Sequence, residues 1–442
     1  MNSTDAFVEY LFEMNTSIPE RVIDKAKQCV MDYLGAVYAG ASVNRTAFDQ
    51  LQNMQEGKCT VFGCPIKTDE LTASFINGYN AHTVEMDDGH RFGMIHLGAS
   101  IISAVLAVGE IEKIEFRRIL SGIAIGYEAA VRMAVSVQPG HKKRGFHTSG
   151  TCGTAGAAIG AAFALGYDRE EVKSTISAAA TSAAGLLEIQ EDSSQLKPYN
   201  IAHASMSGVM AARIGKCRFV PPDDMLGGKR GALRILSDFF SKEKLIHRSE
   251  LYEIERIYVK PYAACRHCHS AIEGAISIAE SCSVLPKEVK RIDVYTYELA
   301  VKGHDHKKIR GVASAKLSLP YSVAAAFVRK SGGLEIFGIE EINDKDILAM
   351  TDKVHVIPFE EFTAASPDKR ISEVHVVTQD HTYCHRVDYA KGEPENPLLK
   401  EEIEEKFIHL MKWAGQGKAG NEVLRMFSQD VISTERLFRL LN

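Results

Sequence analysis

The stretch GTCGTAGAAIGAAFALG, Gly150 to Gly166, decides the architecture of this chain. It is built from Gly, Ala and Thr, with only Cys152, Ile159, Phe163 and Leu165 larger. Small residues on every face suit a central helix that neighbouring helices approach closely. Gly150, Gly153 and Gly156 are spaced for that packing and not for a dinucleotide-binding turn. Working outward, helical periodicity covers 70–82, 97–112, 116–135, 148–166, 169–187 and 200–216. Ile23, Ala26, Val30, Tyr33, Leu34 and Val37 mark one more helix, with Ser17 as its cap, Pro19 in its first turn and Gly40 as its stop. The first 260 residues therefore read as a helical bundle.

After residue 255 the pattern changes. Arg256–Val259, Arg291–Tyr297 and Lys353–Ile357 show short alternating runs of strand type, and Glu373–Thr378 with His381–Val387 reads as a hairpin around Gln379-Asp380. Helices are expected at 268–284 and 316–330. From Asn396 the pattern is helical again through Leu441, and this tail can rejoin the N-terminal bundle. The fold class is α+β, with boundaries drawn at 1–264 plus 394–442 for a helical domain and 265–393 for a smaller α+β domain.

Composition narrows the function classes. A chain of 442 residues is too long for one ordinary core. Its net charge of −5, with no basic run, argues against a nucleic-acid partner. The N-terminus lacks the basic flank and apolar run of a signal peptide, and stretches such as Leu97–Gly109 are too short to span a bilayer. Nine cysteines, an odd number scattered without a framework, suit a reducing cytoplasm.

The densest chemistry lies in HTVEMDDGHRFGMIH, His82 to His96. Three histidines, Glu85, Asp87, Asp88 and Arg91 sit among Met86, Phe92, Met94 and Ile95, with Gly89 offering a sharp turn. This reads as a loop pinned at the edge of a core, where titratable groups are tuned. A metal set is one alternative, although HxxE followed by DDxH is not a standard ligand spacing. Histidines that merely cap and brace a loop are the other. Arg144 and His147 stand just before the small-residue helix, whose free N–H groups can hold a carboxylate; the plainer reading has Thr148 or Ser149 capping that helix. Lys197 precedes Pro198 and is expected outside helical geometry, by itself an ordinary surface lysine. KPYAACRHCH, Lys260 to His269, contains CxxCH, but haem attachment needs export and zinc needs a second pair. It reads instead as a hinge delivering Lys260, Cys265 and Arg266 to a cleft. GGKRG at 227–231 lacks the phosphate-loop frame.

The candidates His96, His147, Lys197, Lys260, Arg144, Arg266 and Arg91, supported by Asp87, Asp88 and Tyr321, form a cationic set in an acidic protein. Such a set suits a small di- or tricarboxylate. No metal or cofactor motif is present, so the feasible step is proton removal from carbon beside a carboxylate, with cations stabilising the developing charge.

Ordered blocks along the chain carry a family resemblance. They are MDYLGA at 31–36, NGYNAH at 77–82, MDDGHR at 86–91, GYEAAVR at 126–132 and RGFH at 144–147. KP at 197–198, KPYAACR at 260–266, AKLSLPY at 315–321 and GxPxNP at 392–397 complete the series. With these the chain resembles the MmgE/PrpD family of 2-methylcitrate dehydratases, cis-aconitate decarboxylases and iminodisuccinate epimerases. The resemblance implies a large all-helical domain built from both chain ends, a smaller α+β lid, a homodimer, no metal and no cofactor. It places catalytic positions on His96, His147, Lys197 and Tyr321. Substrate binding then falls to Asp87, His90, Arg91, Arg144, Lys260, Cys265 and Arg266. Three departures from decarboxylases stand out: Glu85-Met86-Asp87-Asp88-Gly89 in place of DxDDT, Cys265 in place of a histidine, and His96-Leu97 in place of His-Pro. The DDGHR loop is closer to the epimerase-like branch, whose substrates resemble substituted succinates. The expectation is a cofactor-independent lyase or epimerase of the cytoplasm. A metal-dependent hydrolase using His82, His90 and His96, or a carboxylate-binding protein without catalysis, are the competing readings.

Overall fold

A computed structural model describes residues 1–52, 56–191, 194–282, 284–429 and 431–441. The chain divides into two compact units, one of 1–189, 196–257 and 399–442, the other of 190–195 and 258–398.

In the first unit the small-residue segment is a buried helix, Thr148–Leu165, packed by helices Gly98–Ile111, Phe116–Val137, Arg169–Ser182 and Lys197–Lys216. The reason for its composition is geometric. A Cβ on Gly156 would lie 2.6 Å from Ala130 Cβ and 2.8 Å from Gly126 O, and one on Gly122 would lie 2.6 Å from Gly160 O. The two backbones touch where glycine faces glycine, so any side chain at the crossing would push the helices apart. Phe116–Val137, with 22 residues, is long and apolar enough to cross a bilayer, against the expectation of no such stretch. It is a core helix, with 89% of its most apolar window buried.

Several local expectations need correction. Ser17 does not cap the second helix; Pro19 is its N-cap, without a side-chain cap bond. Gly40 does not stop that helix, which runs Glu20–Val43. A Cβ there would fall 1.9 Å from Asn80 O, so Gly40 marks a close approach instead. The helix expected to reach 187 ends at Ser182, and 256–259 is not a strand, since Arg256 closes a 3-10 turn. An N-terminal helix, Ser3–Thr16, lies outside the periodic segments, and the bundle also carries a small hairpin, Cys59–Thr60 with Lys67–Thr68. The helix Lys400–Trp413, the first of three in the C-terminal segment, packs on Glu20–Val43, so the chain ends do share one unit.

The second unit is built on a four-stranded sheet in the order Val354–Pro358, Arg291–Thr296, Ser372–Val377, Thr382–Val387. The first pair is parallel and the others antiparallel. Ser372–Val377 alternates buried and half-buried residues, as one covered face requires. The helix His269–Ser281 covers its last two strands, and Leu319–Arg329 packs against Val354–Pro358. The expected hairpin is present, closed by Thr378 N donating to His381 O at 2.9 Å.

Candidate active site

The His82–His96 segment leaves the helix Glu70–Thr83 and enters Gly98–Ile111, and each side chain's direction follows from how the loop is pinned. His90 and Ile95 exchange backbone hydrogen bonds of 2.8 and 3.3 Å, closing a tight bend. The left-handed residues of the loop are Glu85 (φ 56°) and Met94 (φ 51°), not Gly89. A left-handed L-residue costs roughly 1–2 kcal/mol, so Glu85 is held there by what it binds. Its carboxylate pairs with the Lys197 ammonium. On the next residue, Met86 O accepts from Lys406 Nζ at 2.7 Å, and the same ammonium reaches Asp32 Oδ1 at 2.5 Å.

Asp87 is buried and serves two imidazoles. His82 Nδ1 lies 2.7 Å from its Oδ2, and His96 Nδ1 lies 3.4 Å from the same atom. His96 Nδ1 is also 2.9 Å from Asp88 O. A carbonyl can only accept, so that nitrogen carries the proton and Nε2 of a neutral His96 holds the lone pair. The His96 backbone N donates to Ser149 Oγ at 3.0 Å, tying the loop to the first turn of the central helix. The Asp88 carboxyl accepts from Tyr127 Oη at 2.6 Å and Gly98 N at 2.8 Å. Burial pushes its pKa up to about 6 against those two donors.

His147 is the N-cap of the central helix without a side-chain cap bond, so neither Thr148 nor Ser149 takes that role. Asn200 Nδ2 lies 3.0 Å from His147 Nδ1 and 3.0 Å from Leu186 O. The carbonyl fixes the amide nitrogen as a donor, so His147 Nδ1 accepts and Nε2 bears the proton. Burial, with the charges of Lys197, His82 and His96, holds the His147 pKa well below the ordinary imidazole range. Lys197 is not outside helical geometry: it opens Lys197–Lys216, with Pro198 in the first turn where its missing N–H costs nothing.

Other predicted residues point elsewhere. His90 Nδ1 accepts from Gly93 N at 3.1 Å and Nε2 faces Glu253 Oε2 at 3.2 Å. It belongs to a buried network in which Arg132 reaches Glu128 at 2.8 Å and Glu253 at 3.0 Å. His90 is therefore not grouped with His82 and His96 as the metal-hydrolase reading required. Ligand atoms of His82, Asp87 and His96 do lie within 4.8 Å of one another, a set that fits a divalent cation. Arg91 is buried with its guanidinium 4.9 Å from the Phe92 ring centre. Arg144 is exposed and pairs with Asp238 at 3.0 Å, which makes it a surface cation and not a pocket residue.

In the second unit, Lys260 is fully buried. Arg266 donates to Glu393 at 3.0 Å and to His269 Nδ1 at 2.9 Å, and lies 4.8 Å from the Tyr258 ring centre, so protein groups claim its guanidinium. Tyr321 is a core tyrosine whose hydroxyl donates to Ile336 O at 2.7 Å, and burial raises its pKa. Its phenolic proton is engaged by that carbonyl in this structure. Cys265 Sγ lies 3.3 Å from His304 Nε2. Sequence reasoning missed Asn200, Lys406, Asp32 and Tyr127 as groups that orient the site; the last two lie in blocks already quoted, MDYLGA and GYEAAVR.

The comparisons agree with this architecture. Residues 6–244 match the MmgE/PrpD N-terminal domain and 262–426 the MmgE/PrpD C-terminal domain. The chain is 22% identical to cis-aconitate decarboxylase of Homo sapiens over 415 residues, 88% of this chain and 83% of that one. It is 23% identical over 293 residues to a cis-aconitate decarboxylase-like protein of Aspergillus oryzae, covering 62% of this chain. That match spans 61% of the relative's own length, and the one to cis-aconitate decarboxylase of Aspergillus terreus, at 22% identity, covers 58% of this chain and 56% of the relative. A two-unit α+β fold carrying a buried acid–base cluster is thus that of an enzyme. The chain belongs to the MmgE/PrpD family.

Proposed function

We propose that this enzyme moves a proton at a carbon next to a carboxylate of a small succinate- or citrate-like polycarboxylic acid, as an epimerase or lyase. The observation that carries this reading is the pair of imidazoles with opposite fixed tautomers, His96 with an Nε2 lone pair and His147 with an Nε2 proton. His96, backed by Asp87, is the base. A proton arriving at Nε2 creates an imidazolium that the Asp87 carboxylate, 3.4 Å from Nδ1, stabilises. His147, kept neutral by burial, donates its Nε2 proton to a carboxylate oxygen where enediolate charge develops. Lys197 supplies the cation and returns a proton, with Glu85 holding its ammonium in place. The DDGHR loop and Cys265 favour the epimerase-like outcome over decarboxylation, the activity in the names of the relatives above.

The test is proton NMR in D₂O with cis-aconitate, 2-methylcitrate, iminodisuccinate and substituted succinates. Deuterium uptake at one C–H without a new product identifies an epimerase, whereas loss of CO₂ or water identifies a lyase. His96→Ala should abolish the exchange while circular dichroism stays unchanged, and near-normal exchange in that variant removes His96 as the base. Stoichiometric zinc, iron or manganese in purified protein would move the reading to metal-assisted chemistry at His82, Asp87 and His96.

A further inference from the structure

In the second unit, outside the imidazole cluster, one thiol is set against a histidine of fixed tautomer. Cys265 is half-buried, and its Sγ lies 3.3 Å from His304 Nε2. The other ring nitrogen, Nδ1, is 3.1 Å from Lys302 O. A carbonyl oxygen only accepts, so Nδ1 bears a proton and Nε2 of the neutral ring is an acceptor. The S–H therefore points its proton at a base, and transfer leaves a thiolate beside an imidazolium. The His304 ring meets His267 edge to face, at 5.3 Å between ring centres, and His267 Nδ1 lies 2.6 Å from Tyr297 Oη. The backbone on both sides is anchored, with Cys265 N donating to Lys316 O at 2.9 Å and Leu319 N to His304 O at 2.8 Å. The titratable groups sharing this corner include His267, Tyr297, Cys268, Arg370 and Glu393, the Tyr297 phenol feeling the charges of Arg370, Cys265, Cys268 and Glu393.

We infer that Cys265 and His304 form a nucleophilic thiolate–imidazolium pair, a covalent site for soft carbon electrophiles. In the reaction with iodoacetamide, the probe for the test, the Sγ lone pair attacks the CH₂ carbon. A C–S bond forms, the C–I bond breaks and iodide leaves with its electron pair. The proton that left sulfur stays on His304 Nε2. The other thiols provide the contrast. Cys217 is exposed but its Sγ donates to Arg213 O at 3.7 Å, which does nothing for a thiolate. Cys384 is exposed with its pKa raised by partial burial and by Glu373.

The experiment is limited iodoacetamide labelling of the full chain between about pH 5.5 and 9, with each cysteine's rate followed by peptide mass spectrometry. The shape of each profile reports thiolate fraction whatever the access, because access scales the whole curve. A free thiol of ordinary pKa gains about tenfold in rate per pH unit up to about pH 8.5, whereas Cys265 should stay nearly flat above about pH 6.5. The rate of Cys265 relative to glutathione in the same tube should then be at least about tenfold higher at pH 6.5 than at pH 9. His304→Gln should convert the Cys265 profile to the glutathione shape. A Cys265 rate that climbs in parallel with glutathione in the native protein, or no Cys265 labelling at any pH, overturns the pair. A profile that stays flat in His304→Gln overturns the role of His304. None of these readouts depends on the reaction proposed above.

Discussion

Replacing Asp88 by asparagine should change how stability depends on pH, by an amount that follows from its surroundings. The carboxyl is buried, with Tyr127 Oη and Gly98 N as donors, and burial carries its pKa from 3.8 to about 6. The folded value lies above the unfolded one, so the folded state binds more protons between them. The associated stability is fully present below the unfolded pKa and is lost as pH rises through about 6. The gap between 3.8 and about 6, at roughly 1.36 kcal/mol per pH unit, sets a ceiling of about 3 kcal/mol. Between about pH 4.5 and 7.5 the linkage amounts to about 2 kcal/mol. The asparagine amide does not titrate, so wild type should lose about 2 kcal/mol relative to Asp88→Asn over that interval. Urea denaturation of both proteins at the two pH values reads this, because titrating groups distant from Asp88 are common to the pair and cancel, leaving Asp88 and its coupling to Asp32 and Asp87. A difference that is independent of pH, or that favours wild type more at neutral pH, would refute the assignment of Asp88 as a carboxyl forced upward by burial.

Two further perturbations separate chemistry from packing. Lys197→Met should cut C–H exchange by at least about 100-fold, and it should also destabilise by roughly 3–5 kcal/mol because the Glu85 carboxylate is left buried without its cation. Adding Glu85→Gln should restore most of the melting temperature but none of the exchange; recovery of both would make the pair purely structural. Gly156→Val puts carbon where Ala130 Cβ already lies at 2.6 Å and Gly126 O at 2.8 Å. It should lower stability by about 1–3 kcal/mol or more in a calorimetric melt, and an unchanged melt would show that the helices do not touch at that crossing.

What can be read from the sequence follows a physical division. Gly150–Gly166 announces its helix and its crowding because small residues on all faces have few other uses, and the alternating runs near 291, 354, 373 and 382 announce the sheet. His96, His147 and Lys197 stand out because titratable groups in apolar context are scarce. The same signal names Arg266, His90 and Tyr321, whose polar atoms are engaged by other protein groups. A buried cation answered by Glu393, or a phenol answered by a carbonyl such as Ile336 O, has the same composition as one aimed at a substrate. Only the partner distinguishes them, and partners come from distant segments. Arg144 differs in the opposite way: His147, three residues on, is buried, while the Arg144 side chain reaches solvent and Asp238. Gly89 attracts the turn assignment because glycine is the usual left-handed residue, yet Glu85 and Met94 adopt that conformation.

The strain at Glu85 connects the two ends of the chain to the chemistry. A left-handed glutamate persists only where its surroundings outweigh roughly 1–2 kcal/mol of backbone cost. Lys197 from one helix holds its carboxylate, and Lys406 from Lys400–Trp413 in the C-terminal segment holds the carbonyl of the next residue, Met86. Lys406 is itself nearly buried, and Asp32 on the helix beneath balances its charge. Asp87 follows directly, so fixing the Met86 peptide fixes where the carboxylate shared by His82 and His96 stands. With His82 on the carboxylate and the next residue, Asp88, held by Gly98 N and Tyr127 Oη, the Lys406 ammonium helps set the distance from Asp87 to His96, and a base needs that distance constant while its charge changes. The tail's return to the N-terminal helices is therefore part of how the acid–base groups are held, because the ammonium that fixes the loop is supplied from residue 406.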